Sequence, residues 1–121
     1  MKKKVIGLIG ALEIELNDTN NIALLKLAGQ IDSYTSEEIT KIIDTHMDNG
    51  HFKIIVDLSN VDYLDSAGLG ALINAKARLK KRTGDIRLVG LKGKAKEVFD
   101  LAGFTVLFNN FDSCEKALEG F

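Results

Sequence analysis

Lys53-Ile54-Ile55-Val56-Asp57-Leu58 runs into Ser59-Asn60-Val61-Asp62-Tyr63-Leu64 and then into Asp65-Ser66-Ala67-Gly68-Leu69-Gly70. The β-branched run Ile54-Ile55-Val56 predicts a central strand buried on both faces. A short acidic loop follows it, and a helix begins at Asp65-Ser66. Leu69, Leu72, Ile73 and Leu79 recur at helical spacing, so that helix should run from about Ser66 to Arg82. Strand, loop and helix in this order are the unit of an α/β sheet, where ligand and partner sites favour the carboxyl ends of the strands.

The same alternation extends to both sides. Upstream, Thr35-Ser36-Glu37-Glu38 has capping-box spacing, and Ile39, Ile42, Ile43, His46 and Met47 then line one helical face up to Gly50. Downstream, Asp85 to Val89 reads as a strand, and Lys94 to Leu101 as a helix stopped by Gly103. Val106-Leu107-Phe108 reads as a short last strand, and Asp112 or Ser113 as the cap of a final helix to Leu118. At the start, Leu12, Ile14 and Leu16 alternate with Glu13 and Glu15; a turn cluster, Asn17 to Asn21, leads into a strand from Ile22 to Ala28. These two strands make a hairpin. The expectation is one α/β domain over residues 1–121, a mixed β-sheet of four to five strands with about four α-helices. Its later strands should be mostly parallel, because right-handed helical crossovers join them. Leu12, Ile14, Ile54, Val56, Leu72, Ile73, Leu88 and Phe99 should be mostly buried.

A chain of 121 residues, 45% apolar and without proline, suits one packed core. Sixteen basic residues against seventeen acidic ones leave a net charge of -1, which gives no reason to expect nucleic acid or a membrane surface as partner. No stretch approaches the ~20 apolar residues of a membrane span. Met1-Lys2-Lys3-Lys4 before Val5-Ile6-Gly7-Leu8-Ile9-Gly10 has the order of a signal peptide, but the apolar run is short and carries two glycines. It reads better as a strand or the lead-in to one. The single cysteine, Cys114, has no internal disulfide partner and reads as a small residue on the last helix.

Chemistry centres on Ser66. The plainest account is helix capping by Asp65 or Ser66, which alone explains both residue types. A catalytic serine on a strand-to-helix turn would have glycine two residues earlier, where this chain has Leu64, and it would need a base. His46 and His51 belong instead to a helix face and a strand start. Gly90-Leu91-Lys92-Gly93-Lys94 lacks the Gly-Lys-Ser/Thr ending of a phosphate loop. Asp57, Asp62 and Asp65 offer carboxylates to a magnesium ion, although a solvated acidic loop accounts for them. No group has metal-site spacing, and the sequence implies no cofactor. The remaining reading is a phosphoacceptor: a serine at a helix start is exposed, and a phosphate there meets the partly positive helix end.

Asp57 to Gly70 closely resembles the signature of STAS domains, and within that family the single-domain bacterial anti-sigma factor antagonists. Leu27-Ala28-Gly29-Gln30-Ile31-Asp32 resembles the family's glycine-x-apolar-aspartate step. Leu101-Ala102-Gly103-Phe104 and Phe111 to Leu118 resemble its C-terminal pattern. The resemblance spans about residues 11–119; residues 1–10 depart from it as an N-terminal extension or extra strand.

The resemblance implies a non-enzymatic, cytoplasmic switch without cofactor. The unmodified protein would bind an anti-sigma factor that is also a serine kinase and so release a sigma factor; phosphorylation of Ser66 would end that complex, and a serine phosphatase would reset it. A soluble STAS subunit of a lipid-transport or stress-sensing complex is the alternative. The acidic loop and the resemblance together place the partner surface at Asp62, Tyr63, Asp65, Ser66, Ala67, Gly68 and Leu69. Asp32, Ser33 and Thr35 lie beside it, and Lys76 and Lys80 form its rim. Self-association stays open.

Overall fold

In the computed structural model of the chain, which describes the backbone of residues 2–9 and 12–19 and all of residues 21–121, six strands form one sheet in sequential order. The elements are β1 (Lys2–Ile9), β2 (Leu12–Thr19), β3 (Ile22–Ile31), α1 (Ser33–Asp48), β4 (Lys53–Leu64), α2 (Ser66–Lys80), β5 (Asp85–Val89), α3 (Gly93–Ala102), β6 (Asn110–Phe111) and α4 (Cys114–Leu118). β1, β2 and β3 pair antiparallel, and β3 to β6 run parallel. The mixed α/β architecture with four helices is as expected. The strand number is higher, because β1 adds an edge; the last strand, β6, is the two residues Asn110–Phe111 rather than Val106 to Phe108.

Every parallel step moves the same way along the sheet, so right-handed crossovers lay α1, α2 and α3 on one face. There Leu25, Leu27, Ile54, Val56, Leu58, Ile86 and Leu88 pack against Ile39 and Ile43 of α1, Leu72 and Leu79 of α2, and Phe99 of α3. The opposite face buries Ile22, Leu24, Ile55 and Val89 under Ala117 of α4, with Phe121 packed alongside. A helix of five residues cannot stand alone. Arg87 pins it, donating from Nη1 to the carbonyls of Ala117 (2.9 Å) and Glu119 (2.8 Å), with its guanidinium over the Phe121 ring.

Ile54, Val56, Leu72, Leu88 and Phe99 are buried as expected, whereas Ile73 is half-buried at the core's margin. The side chains of Leu12 and Ile14 lie outside the described residues.

Three local readings change. The acidic loop after Leu58 is not a loop: β4 continues to Leu64, pairing Asn60 with Ala28, Val61 with Gly29, Tyr63 with Gln30 and Leu64 with Ile31. Two register shifts, each with one extra residue on β4 (between Asp57 and Asn60, and between Val61 and Tyr63, the second opposite a Gly29 at φ 114°), keep the strands paired where Asn and Asp obscure the strand signal. Next, α1 begins before Thr35. The Asp32 carboxylate accepts from the backbone N–H groups of Tyr34 (3.0 Å) and Thr35 (2.9 Å), while the Asp32 N–H donates to the Thr35 hydroxyl (2.8 Å). The capping box is therefore Asp32–Thr35, and Glu38 is free to pair with Lys41. Finally, Val106-Leu107-Phe108 is not a strand. Thr105–Leu107 is a single 3-10 turn, which brings Phe108 edge-on to Phe99 with ring centroids 5.5 Å apart. Val106 is left 89% exposed, so that apolar run never served a strand.

Candidate functional site

β3 and β4 end level with one another, Ile31 beside Leu64. One residue later each chain segment supplies a helix cap: Asp32 for α1 and Asp65 for α2. The Asp65 N–H donates to the Ile31 carbonyl (3.1 Å), tying the two helix starts together. Two helix N-termini thus lie side by side at the carboxyl edge of adjacent parallel strands.

At the second of them the Asp65 carboxylate accepts from the Gly68 N–H (3.0 Å). The choice left open between Asp65 and Ser66 is therefore settled: Asp65 is the cap. Ser66 is the first residue of α2 and is exposed, and its hydroxyl has no hydrogen-bond partner among the described residues. Gly68 is buried against β3. A Cβ there would sit 2.6 Å from Cγ2 of Ile31 and 3.2 Å from the Ile31 carbonyl oxygen. Glycine is what lets α2 approach so closely. Gly70 has nothing within 4 Å of the corresponding position and is exposed.

The face around Ser66 carries Asp62 and Tyr63, both exposed, Ser33 likewise, and the half-buried Ala67. Thr35, Gly68 and Leu69, expected on the partner surface, are buried. They shape the surface from beneath, Thr35 with a hydroxyl that donates to the Gln30 carbonyl (3.1 Å). Tyr34 was missed. It is 63% exposed, next to the α1 cap, and with Tyr63 at 47% it gives the face two large uncovered rings. Its position two residues after a capping aspartate was the available signal, hidden while the helix start was read at Thr35.

The electrostatics are one-sided. No lysine or arginine occurs between Lys26 and Lys41 or between Lys53 and Lys76. The hydrogen bond from the Thr35 N–H holds the Asp32 carboxyl below its usual value; the Thr35 hydroxyl and the Tyr34 N–H act the same way and outweigh partial burial. Asp32 is therefore ionised at neutral pH. Lys76 and Lys80, expected at the rim, are not there. Ten residues of helix, roughly 15 Å, separate Lys76 from Ser66, and both lysines bind Asp85 at the start of β5 (2.9 and 3.1 Å).

Among the described residues no histidine stands near Ser66 to serve as the base of a nucleophilic serine. His46 and His51 stack on one another at the end of α1, with centroids 5.7 Å apart, a strand's length away. A cleft of about 280 Å³ lies at that same far end, between Phe52, Lys53 and Arg82. Asp57 lies apart from Asp62 and Asp65. It accepts from the Ser59 hydroxyl (2.6 Å) and faces Cys114 (3.7 Å). Burial and the Asp57 charge push the Cys114 thiol up, the opposite of a reactive thiolate. Among the described residues no group of three or more His, Cys, Asp or Glu could hold a metal ion, and no helix is long and apolar enough to cross a membrane.

Known proteins share this fold. The family model of the STAS domain matches residues 13–117. The anti-sigma-B factor antagonist of Listeria monocytogenes is 30% identical over 95 residues, an alignment covering 78% of this chain and 82% of that protein. The crystal structure of an anti-sigma factor antagonist from Mycobacterium paratuberculosis has a TM-score of 0.76 at 25% identity, covering 88% of this chain and 91% of that one. The anti-sigma factor antagonist SpoIIAA in its unphosphorylated form shares the fold, with a TM-score of 0.78 at 22% identity, covering 88% and 93%.

Proposed function

The chain belongs to the STAS domain family, and from that premise we propose that it is an anti-sigma factor antagonist switched by phosphorylation of Ser66. The observation that carries the reading is the unengaged, exposed Ser66 hydroxyl at the first residue of α2, beside a cap that Asp65 already provides. In its unmodified form the protein docks on a cytoplasmic anti-sigma factor with serine kinase activity, and the sigma factor is released. The docking face is Ser66, Asp62, Tyr63, Ser33 and Tyr34, with Asp32 and Asp65 at the helix starts. Its two tyrosines suit the aromatic anchoring common at interfaces, and its acidity selects a basic counterpart.

The kinase then uses ATP to place a phosphoryl group on Ser66. Phosphate adds about -1.5 to -2 charges and three acceptor oxygens to a face that is already acidic. A partner packed over Ser66 must then accommodate that bulk and desolvate that charge. A differential effect of about 1–3 kcal/mol lowers affinity roughly 5–150-fold, enough to decide a competition between partners. A serine phosphatase restores the binding form. The chain is substrate and ligand in this cycle and performs no chemistry itself.

Incubation with the cognate kinase and ATP, peptide mass spectrometry and calorimetry on two variants test the proposal. Ser66→Ala should bind like the unmodified protein and resist phosphorylation; Ser66→Asp should bind weakly. Phosphate on Ser59 or Ser113 instead, or undiminished binding by Ser66→Asp, would refute it.

A further inference from the structure

β1 forms one border of the sheet. β2 pairs with one of its sides, and nothing among the described residues pairs with the other. An eight-residue outer strand with unused N–H and C=O groups is a template for a further strand. The opposite border, β6, has two residues and offers almost none. The matched family segment starts at residue 13, so β1 lies outside it and outside the switch described above. The sequence of β1 divides into a charged half, Lys2-Lys3-Lys4, and an apolar half, Val5-Ile6-Gly7-Leu8-Ile9.

We propose that β1 pairs antiparallel with β1 of a second copy, joining the two sheets across a two-fold axis. Charge selects both the partner and the direction. Centred on the bulge at Val5–Ile6, where β1 has one residue more than β2, the antiparallel register sets Lys2 opposite Ile9, Lys3 opposite Leu8 and Lys4 opposite Gly7 of the second copy. Every lysine then faces an uncharged residue. Parallel in-register pairing would set three lysines against three, and like charges directly opposite destabilise a sheet. The row containing Leu8 continues to Glu13 on β2. Lys3 of the second copy therefore falls in line with an acidic residue two strands away, about 10 Å. A strand is its own complement here, which is why a second copy fits better than a foreign segment. The pairing uses the one free edge of β1 on each copy, so assembly closes at two. Two strand spacings, about 10 Å, separate β1 from β3, which leaves the helix starts at Asp32 and Asp65 open on each copy.

Sedimentation of the full chain at rising micromolar concentration should show a monomer passing to a dimer with no larger species. Disulfide trapping reads the register. With Cys114→Ser as background, a mixture of Lys3→Cys and Leu8→Cys proteins should cross-link several-fold more than either protein alone. A chain that stays monomeric throughout overturns the proposal. So do cross-links within Lys3→Cys alone, which signify parallel pairing, and a dimer whose mixed cross-linking does not exceed that of the single variants. Neither measurement involves Ser66, so failure here leaves the switch standing, and failure of the switch leaves this pairing standing.

Discussion

Gly68 and Gly70 sit two residues apart in one helix, yet alanine should act in opposite directions at the two positions. A Cβ on Gly68 would fall 2.6 Å from Cγ2 of Ile31 and 3.2 Å from its carbonyl oxygen. Neither atom can yield easily. Ile31 is fully buried and β-branched, and its carbonyl holds the Asp65 N–H at 3.1 Å. Gly68→Ala therefore overpacks the junction of α2 and β3, at about 1–3 kcal/mol. For a domain of this size that is a fall of roughly 3–15 °C in Tm. At Gly70 nothing lies within 4 Å, and alanine is the better helix former by about 0.5–1 kcal/mol. Gly70→Ala should stabilise the free protein. Because Gly70 is exposed one turn from Ser66, the added methyl should also weaken partner binding if the partner approaches the helix there. Urea denaturation gives both stabilities, and calorimetry gives the affinity. The Ile31→Ala background should shrink the Gly68→Ala penalty, since the clashing methyl is gone. Equal midpoints for Gly68→Ala and the parent chain, or destabilisation by Gly70→Ala, would refute the packing argument.

Other outcomes follow from single contacts. Asp65→Ala removes the α2 cap and should lower stability by about 1 kcal/mol, whereas Asp65→Asn keeps the acceptor and should hold the urea midpoint while removing a charge from the proposed docking face. Thr83 closes the α2–β5 turn at φ 57°, a conformation costly for a β-branched residue. Thr83→Gly should raise stability by roughly 1 kcal/mol in the same assay. For Asp85, burial pushes the carboxyl up, but hydrogen bonds from Lys76, the Ile86 N–H and Lys80 bring it below its ordinary value. A lowered folded-state pKa stabilises above the ordinary carboxylate range and is lost as pH falls through it. Denaturation midpoints between neutral and acid pH should therefore fall less steeply for Asp85→Asn. Acidity at Asp32, Asp62 and Asp65 predicts that partner affinity declines with added salt, through the on-rate first.

What the sequence disclosed and what it withheld follow from where the information resides. Strand β4 through Leu58 and helix α2 were legible because burial imposes hydrophobic periods on both. The Gly103 stop was legible because a left-handed residue, here at φ 77°, favours glycine. The strand continuation to Leu64 was not. Its Asn60 and Asp62 oppose strand propensity, and the bulged pairing of β4 along β3 is a tertiary fact. The α1 start was misplaced because Asp32 and Thr35 are both good caps, and only the Asp32 side chain reaches the first free amides. Lys76 and Lys80 looked like rim residues on helical spacing alone. Their destination, Asp85, depends on which way α2 returns across the sheet. Ser66 was legible as a residue, but whether it or Asp65 caps the helix is a matter of one hydrogen bond.

That hydrogen bond also decides how the proposed phosphorylation of Ser66 would act. Had Ser66 been the cap, its modification would remove the bond that starts α2, and phosphorylation would act by loosening the domain. With Asp65 as cap, the bond to Gly68 survives modification of Ser66. The exposed phosphate gains about 0.3–1 kcal/mol from the helix end and loses a similar amount to the neighbouring aspartates. Folding stability then changes little, and the effect of the charge is carried by the complex, where a partner must cover it. A ligand or modification shifts an equilibrium only by its differential effect on the two states. In the proposed cycle those states are free and partner-bound, and a fold left unchanged by the phosphate would let the modified protein persist and be reset.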